Sequence, residues 1–305
     1  MRHAVSISIG SSKRDWKAEV SLMGQQVAIE RIGTDGDMQK AARLFGELDG
    51  KVDALGVGGT DLGFMVDGQW HKLSSIQMLR ELIHKTPVVD GTGLKLTLER
   101  KAAALYHQTF SPAKPDQRVL IMTAIDRWGM VQGFDDLSYQ CIYGDLLFSL
   151  GLPFPMRKIN SVKRMLSLLL PVVGRLPFKW LYPVGQEQEK RHPKYSQYFE
   201  WAKIIAGDCH YIHRYMPERL PDKVVLTNTT TPQDREFFRQ AGVKSLITST
   251  PVLNGRSFGT NMMEAAILAA VGYTRQVNYS DSKDYLEMME DIISKVGMTP
   301  QVMDL

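Results

Sequence analysis

Short apolar runs alternate with longer mixed segments along the chain, and this alternation predicts its strands and helices. "AVSISIG" near the start is β-branched and alternating, which predicts a strand. "AEVSLMGQQVAIERIG" predicts a hairpin turning at Gly24, and "DMQKAARLFGELDG" a helix with Asp37 as N-cap and Gly50 as its stop. The apolar "VDALGVGG" predicts a strand, "GFMVDGQWHKL" a hairpin turning at Asp67-Gly68, and Ser74 to His84 a helix. "TPVVDGTGLKLTLERKAAALYH" then gives strand, glycine turn and helix.

Two prolines and few apolar residues mark "TFSPAKPDQ", Thr109 to Gln117, as the expected domain linker. "RVLIMTAID" predicts a buried strand, followed by helix to about Leu150, and residues 151–193 are expected to form a proline-rich, irregular insertion. From Tyr195 the order is regular. Helix, strand "IIAGD", helix "YIHRYMPERL", strand "KVVLTN", helix "PQDREFFRQAG" and strand "SLITST" succeed one another. The helices "MMEAAILAAVGY" and "SKDYLEMMEDIISKVG" close the chain. Strands alternating with helices predict βαβ crossovers and parallel pairing. The expectation is a two-domain α/β protein: an α/β domain at 1–110, and a domain at 117–305 with a Rossmann-like parallel sheet.

Ligands of such sheets gather at the carboxyl ends of the strands, so polar and glycine-rich segments there are the candidate chemistry. "TSTPVLNGRSFGTNMME" runs from an apolar strand into a helix without an acidic side chain before Glu264. Asn254, Gly255, Arg256, Ser257, Gly259, Thr260 and Asn261 would cradle an anion, with the helix N-terminus aimed at it. A long turn with a capped helix is the plainer explanation. In "LTNTTTPQDREFF", Thr231, Pro232 and Asp234 form a helix-capping arrangement, which leaves Asn228, Thr229 and Thr230 to face the crevice.

"DGTGLK" sits between strand and helix, but Leu96 stands where the third glycine of a dinucleotide turn belongs. Asp90 and Lys95 are candidates for contacting a substrate, or for pairing with each other. Asp61, in "GVGGTDLG", is a candidate general base or the acid of a tight bend. In "GDCHYIHR", His210 is a candidate acid–base group beside Asp208, or a surface histidine. His210 and His213 would share a helix face, a spacing that permits metal binding; no third ligand is adjacent, and no metal is assigned.

Composition narrows the partners. Basic residues number 37 against 33 acidic ones, a net charge of +4 spread along the chain, so a small anionic molecule is expected rather than nucleic acid. Two distant cysteines, Cys141 and Cys209, exclude a disulfide framework and point to a reducing cytoplasm. The N-terminus lacks the long apolar core of a signal peptide. Met165 to Gly185 is the most apolar segment, but Arg175 and Lys179 interrupt it, so it is expected to pack internally or to touch a membrane surface or partner rather than to span a bilayer. Walker and H-E-x-x-H patterns are not found in the sequence.

From Ala202 to Pro251, "AKIIAGD" and "DKVVLTNTTTPQDREFFRQAGVKSLITSTP" resemble the later half of a Rossmann dehydrogenase domain of the shikimate/quinate group. With "SISIGSSKRD", "ERIGTDGD", "ELDGKVDALGVGG" and "GRSFGTN", the whole chain resembles quinate 5-dehydrogenase-like proteins of prokaryotes. The resemblance implies an oxidoreductase exchanging hydride between NAD or NADP and a cyclic polyol acid. The S-x-S-P and N-x-T-x-P-H-K segments of that group are not found here, and "AIDRWGM" follows "RVLIMT" in place of a glycine fingerprint. A non-catalytic protein binding an anionic ligand or a partner is the alternative.

Overall fold

A computed structural model describes residues 1–111, 113–173, 191–253 and 256–305, with the side chains at 115, 170–173, 252, 253, 256 and 257 outside that description. The chain divides into two compact α/β units. Among the described residues, the first takes in Met1–Leu94, 170–173 and Gly259–Gly297, and its first divide falls at Leu94 and Lys95. The expected boundary at 110–117 is therefore displaced: the chain crosses within a helix, and the two late helices belong with the N-terminal unit.

In the first unit, β1 (Arg2–Ser8), β2 (Trp16–Leu22), β3 (Gln25–Gly33), α1 (Met38–Leu48), β4 (Ala54–Gly58), a hairpin of β5 (Gly63–Val66) with β6 (Gln69–Lys72), and β7 (Val88–Val89) follow in order. Its sheet runs β2-β3-β1-β4-β7, parallel except where β2 and β3 form the hairpin expected at Gly24. Asp37 caps α1 by accepting from the Lys40 amide at 2.8 Å, as its position predicts. The helix expected over Ser74 to His84 is only a 3-10 turn, Ser74–Leu79. Its start has no side-chain cap, and Asp49 draws the amides of His84, Lys85 and Thr86 out of helical bonding at 2.8–3.0 Å.

The second unit begins within α2 (Thr92–Phe110) and continues through β8 (Arg118–Ile121), α3 (Trp128–Asp136), β9 (Gln140–Tyr143) and α4 (Ile159–Val173) as far as Leu169. After these come α5 (Ser196–Trp201), β10 (Ile204–Gly207), α6 (Cys209–Tyr215), β11 (Val224–Thr227), α7 (Pro232–Ala241), β12 (Ser245–Thr248), and the short pair β13 (Val252–Leu253) and β14 (Arg256–Ser257). The first unit's α8 (Thr260–Val271) and α9 (Lys283–Val296) intervene before β15 (Gln301–Asp304).

Sequence expectation missed several of these elements, β9, α4 and β15 among them. β9 is four residues long, too short for a period to emerge from the stretch expected to be helical. α4 occupies part of the expected irregular insertion, because Val162 and Leu166, both buried, repeat at helical spacing despite the prolines around them. β15 adds an antiparallel edge strand after the last helix by pairing with β12.

The second unit's sheet runs β15-β12-β11-β10-β8-β9 and is parallel apart from β15. Both faces of its central strands are buried, as parallel sheets require: Leu120, Ile205, Val225 and Leu246 point one way, Val119, Ile204, Val224 and Ile247 the other. In chain order its parallel strands lie second, first, third, fourth, fifth. The connection from β8 leaves toward β9 while β10 lies on the other side, so the strand order reverses between β8 and β10. The fold is Rossmann-like in this sense, and its ligand crevice is expected at that reversal.

Candidate functional site

The reversal is lined by the segments following β8 and β10, and both carry charge. Asp126 and Arg127 precede α3, while Asp208 follows β10 and caps α6 by accepting from the His210 amide at 2.9 Å. Arg127 is buried and binds two carboxylates from different elements. Its Nη1 donates to Glu99 Oε1 on α2 at 2.6 Å, and its Nη2 to Asp208 Oδ2 at 2.9 Å. Arg127 Nε also lies 3.0 Å from Asp126 Oδ2. Lys95, one turn before Glu99 on α2, pairs with Asp126 Oδ1 at 2.6 Å. The side chains of Asp126 and Asp208 keep 24% and 20% exposure, against 4% for Arg127 and none for Glu99, so the aspartates form the accessible rim.

Burial sets the electrostatics. It pushes the Glu99 carboxyl up to about 7, against the pull of Arg127 and Lys95. Burial also pushes Asp208 upward, but Arg127, His210 and the His210 amide together outweigh it and hold this carboxyl below its usual range. Behind the site, Asp145 is fully enclosed; burial raises it to about 6 although the Ile125 and Ala124 amides each donate to it at 3.0 Å.

Asp145 therefore decides the fit of a dinucleotide after β8. The amides of Ala124 and Ile125, which a pyrophosphate would need, are occupied by a carboxylate, and Asp126 and Asp208 add negative charge beside them. Glycines that let a backbone approach phosphate are missing from "TAIDRW". These residues do not fit the phosphates of NAD or NADP.

The sequence candidates fall into distinct settings. Lys95 is in the charged cluster, with Asp126 as its partner. Asn228 is also there: its Nδ2 donates to Asp208 Oδ2 at 3.1 Å, and its Oδ1 accepts from Thr227 at 3.0 Å. Thr230 is buried and Thr229 half-buried beyond β11, while Thr231 and Asp234 complete the expected capping box of α7. His210 is exposed on α6, and its amide donates to Asp208.

Asp90 and Asp61 lie in the first unit. Asp90 accepts from the backbone of Leu62 at 2.7 Å and of Thr92 at 3.0 Å, and Lys95 pairs with Asp126 in place of the expected Asp90. Asp61 is buried in the bend between β4 and β5. Asn254 and Gly255 lie outside the described residues, as do the side chains of Arg256 and Ser257, whose backbone forms β14. Gly259 caps α8, Thr260 is buried at its first position, and Asn261 Nδ2 donates to Ser6 Oγ at 2.6 Å. A Cβ on Gly91 would stand 2.5 Å from Thr260 Oγ1, and one on Gly56 3.0 Å from the Asn261 carbonyl, so glycines let this helix start settle onto the sheet.

Sequence reading missed Glu99, Asp126, Arg127 and Asp145 as members of one network. The one legible signal was Lys95 and Glu99 at i,i+4 on a helix whose neighbouring positions are apolar.

A family model covers residues 93–305, the whole of this charged network and its sheet. The chain belongs to the family described as Domain of unknown function (DUF8754). A second model, Domain of unknown function (DUF8753), matches residues 3–90, which carry the first unit's sheet. Within DUF8754 this chain thus holds every residue of the Lys95–Asp126–Arg127–Asp208 cluster. No curated protein matches the sequence.

Among solved structures, the chain is similar to an NAD-dependent malic enzyme from Thermotoga maritima, with 12% identity, 96% of this chain and 76% of that one covered, and a TM-score of 0.41. It is also similar to the periplasmic binding protein of an arabinose transporter from Shewanella sp. ANA-3, with 9% identity, 96% and 98% covered, and a TM-score of 0.36. Neither likeness specifies an activity. Among the described residues, no helix is long and apolar enough to cross a membrane. Much of the Met165 to Gly185 segment lies outside them.

Proposed function

We propose that the cluster at the β8–β10 reversal is the acid–base site of an enzyme acting on a small hydroxylated molecule. The observation that carries this reading is the 2.6 Å Lys95–Asp126 pair, set on a rim that buried Arg127 ties together. Asp126 would accept a hydroxyl proton, Lys95 would hold the developing charge, and Arg127 is a positioning residue. Carboxylates outnumber cations here, which favours a hydroxyl-bearing ligand over a phosphate at this spot.

A non-catalytic binding role is the second reading. Thr123 Oγ1, just after β8, is buried without a hydrogen-bond partner, a group that a hydroxylated ligand would satisfy.

The resemblance to quinate/shikimate dehydrogenases adds hydride exchange with NAD or NADP, and a carboxylate on the substrate. In that version the cofactor phosphates are assigned to the Asn254–Asn261 loop, since the turn after β8 does not suit them. The proton chemistry of Lys95 and Asp126 does not require it. Titration with NADH and NADPH, followed by nicotinamide fluorescence, tests the redox version. Saturable binding supports it; no binding at millimolar cofactor, from protein that still binds a hydroxylated acid, removes it and leaves the acid–base site.

A further inference from the structure

A second cluster in the same unit lies between α6 and α7, and the proposed chemistry does not use it. Cys209 and His213 are four residues apart on α6, so their side chains share one face, and Asp234 stands in the first turn of α7. Cys209 Sγ, an imidazole nitrogen of His213 and an Asp234 carboxylate oxygen all lie within 4.8 Å of one another. His213 Nε2 is 3.5 Å from Asp234 Oδ1.

The separations can be compared with what an ion would impose. Zinc bonds to sulfur, imidazole and carboxylate put tetrahedral donors roughly 3.3–3.7 Å apart. The imidazole–carboxylate distance is already in that range, and the widest separation exceeds it by an amount that side-chain rotation can close.

Two further observations point to a ligand. His213 Nε2 is buried and has no hydrogen-bond partner, although an imidazole nitrogen in that position ordinarily finds one. Asp234 is oriented from behind: its Oδ2 accepts from the Thr231 amide at 2.7 Å and from Thr231 Oγ1 at 2.8 Å, which leaves Oδ1 turned toward His213. Metal-bound carboxylates are commonly fixed by such outer hydrogen bonds. The His213 ring is held against Phe237, with centroids 3.9 Å apart, so its nitrogen does not wander. Cys209 is a buried free thiol.

We propose that Cys209, His213 and Asp234 form a binding site for a zinc-class divalent ion. The mixed sulfur, nitrogen and oxygen donors select a borderline-soft metal over magnesium or calcium. Three protein ligands leave the fourth position to solvent. Binding releases the Cys209 thiol proton, so affinity rises with pH. The sequence drew attention to the wrong pair: His210 is exposed, and the partner of His213 on its own helix is the cysteine one turn earlier.

Cobalt(II) serves as the probe, added to the purified full chain and followed by absorbance. The expected result is one equivalent bound with a thiolate-to-cobalt charge-transfer band that zinc(II) bleaches. Cys209→Ser should abolish the band and Cys141→Ser should leave it intact, while His213→Gln and Asp234→Asn weaken binding at least tenfold. A wild-type chain without the thiolate band at stoichiometric cobalt overturns the proposal, as does a band that follows Cys141. If Cys209→Ser does not fold, the other two variants decide, and unchanged cobalt affinity in both overturns it.

Discussion

Arg127 and Asp208 follow two adjacent parallel strands, β8 and β10, and meet at 2.9 Å across the point where the strand order reverses. The same guanidinium reaches Glu99 on α2, so one buried cation joins a helix to two strand ends. Replacing Arg127 with Met leaves Glu99 and Asp208 without their counter-charge. The expected loss is about 3–5 kcal/mol of unfolding free energy at pH 7, measured by urea denaturation. A loss below about 1 kcal/mol would mean that this network does not organise the second unit.

Glu264 in the first unit makes stability depend on pH. It is fully buried on α8, accepts from Tyr285 at 2.5 Å and Tyr279 at 3.1 Å, and burial, with Asp90 nearby, pushes its carboxyl up to about 7 from 4.5. The folded protein therefore keeps a proton that the unfolded chain has lost. The contribution is complete below about pH 4.5 and disappears as pH rises through about 7. A shift of that size corresponds to roughly 3 kcal/mol. Unfolding curves between pH 4.5 and 8 should therefore fall more steeply for wild type than for Glu264→Gln, and the variant should be the more stable of the two above pH 7. Parallel curves would show that Glu264 does not titrate as its burial requires.

Glycine 91 is expected to be far less tolerant than an ordinary turn glycine. It has φ +95°, and a Cβ there would lie 2.5 Å from Thr260 Oγ1 and 2.7 Å from the Asn261 nitrogen. Gly24 has φ +73° with open space around it. Thermal unfolding should place Gly91→Ala about 2–3 kcal/mol below wild type, and Gly24→Ala within about 1 kcal/mol. Equal losses would show that backbone conformation alone, rather than the approach of α8, makes Gly91 necessary.

Most of the fold was legible because its signals are local. The Gly24 and Asp67-Gly68 hairpins, the Asp37 cap and the Thr231–Asp234 capping box depend on a few consecutive residues, and each is found where the sequence places it. The unit boundary was not legible: α8 packs on β1 and β4, a pairing between residues far apart that no local pattern records. For the same reason Lys95 was recognised but its partner was not. Asp90, five positions away, was the obvious counter-charge, whereas the structure gives Asp90 two backbone amides and Lys95 the distant Asp126. Asp145 carries no sequence signal at all, since its role is to fill the Ala124 and Ile125 amides on another segment.

The most direct test of the acid–base site is ligand-observed saturation-transfer NMR with a panel of small hydroxy and polyhydroxy acids on wild type, Lys95→Met and Asp126→Asn. The account predicts at least one ligand that wild type binds and that each variant binds at least tenfold more weakly, about 1.4 kcal/mol. Equal affinity in all three proteins, or no wild-type binding at millimolar ligand, would contradict it.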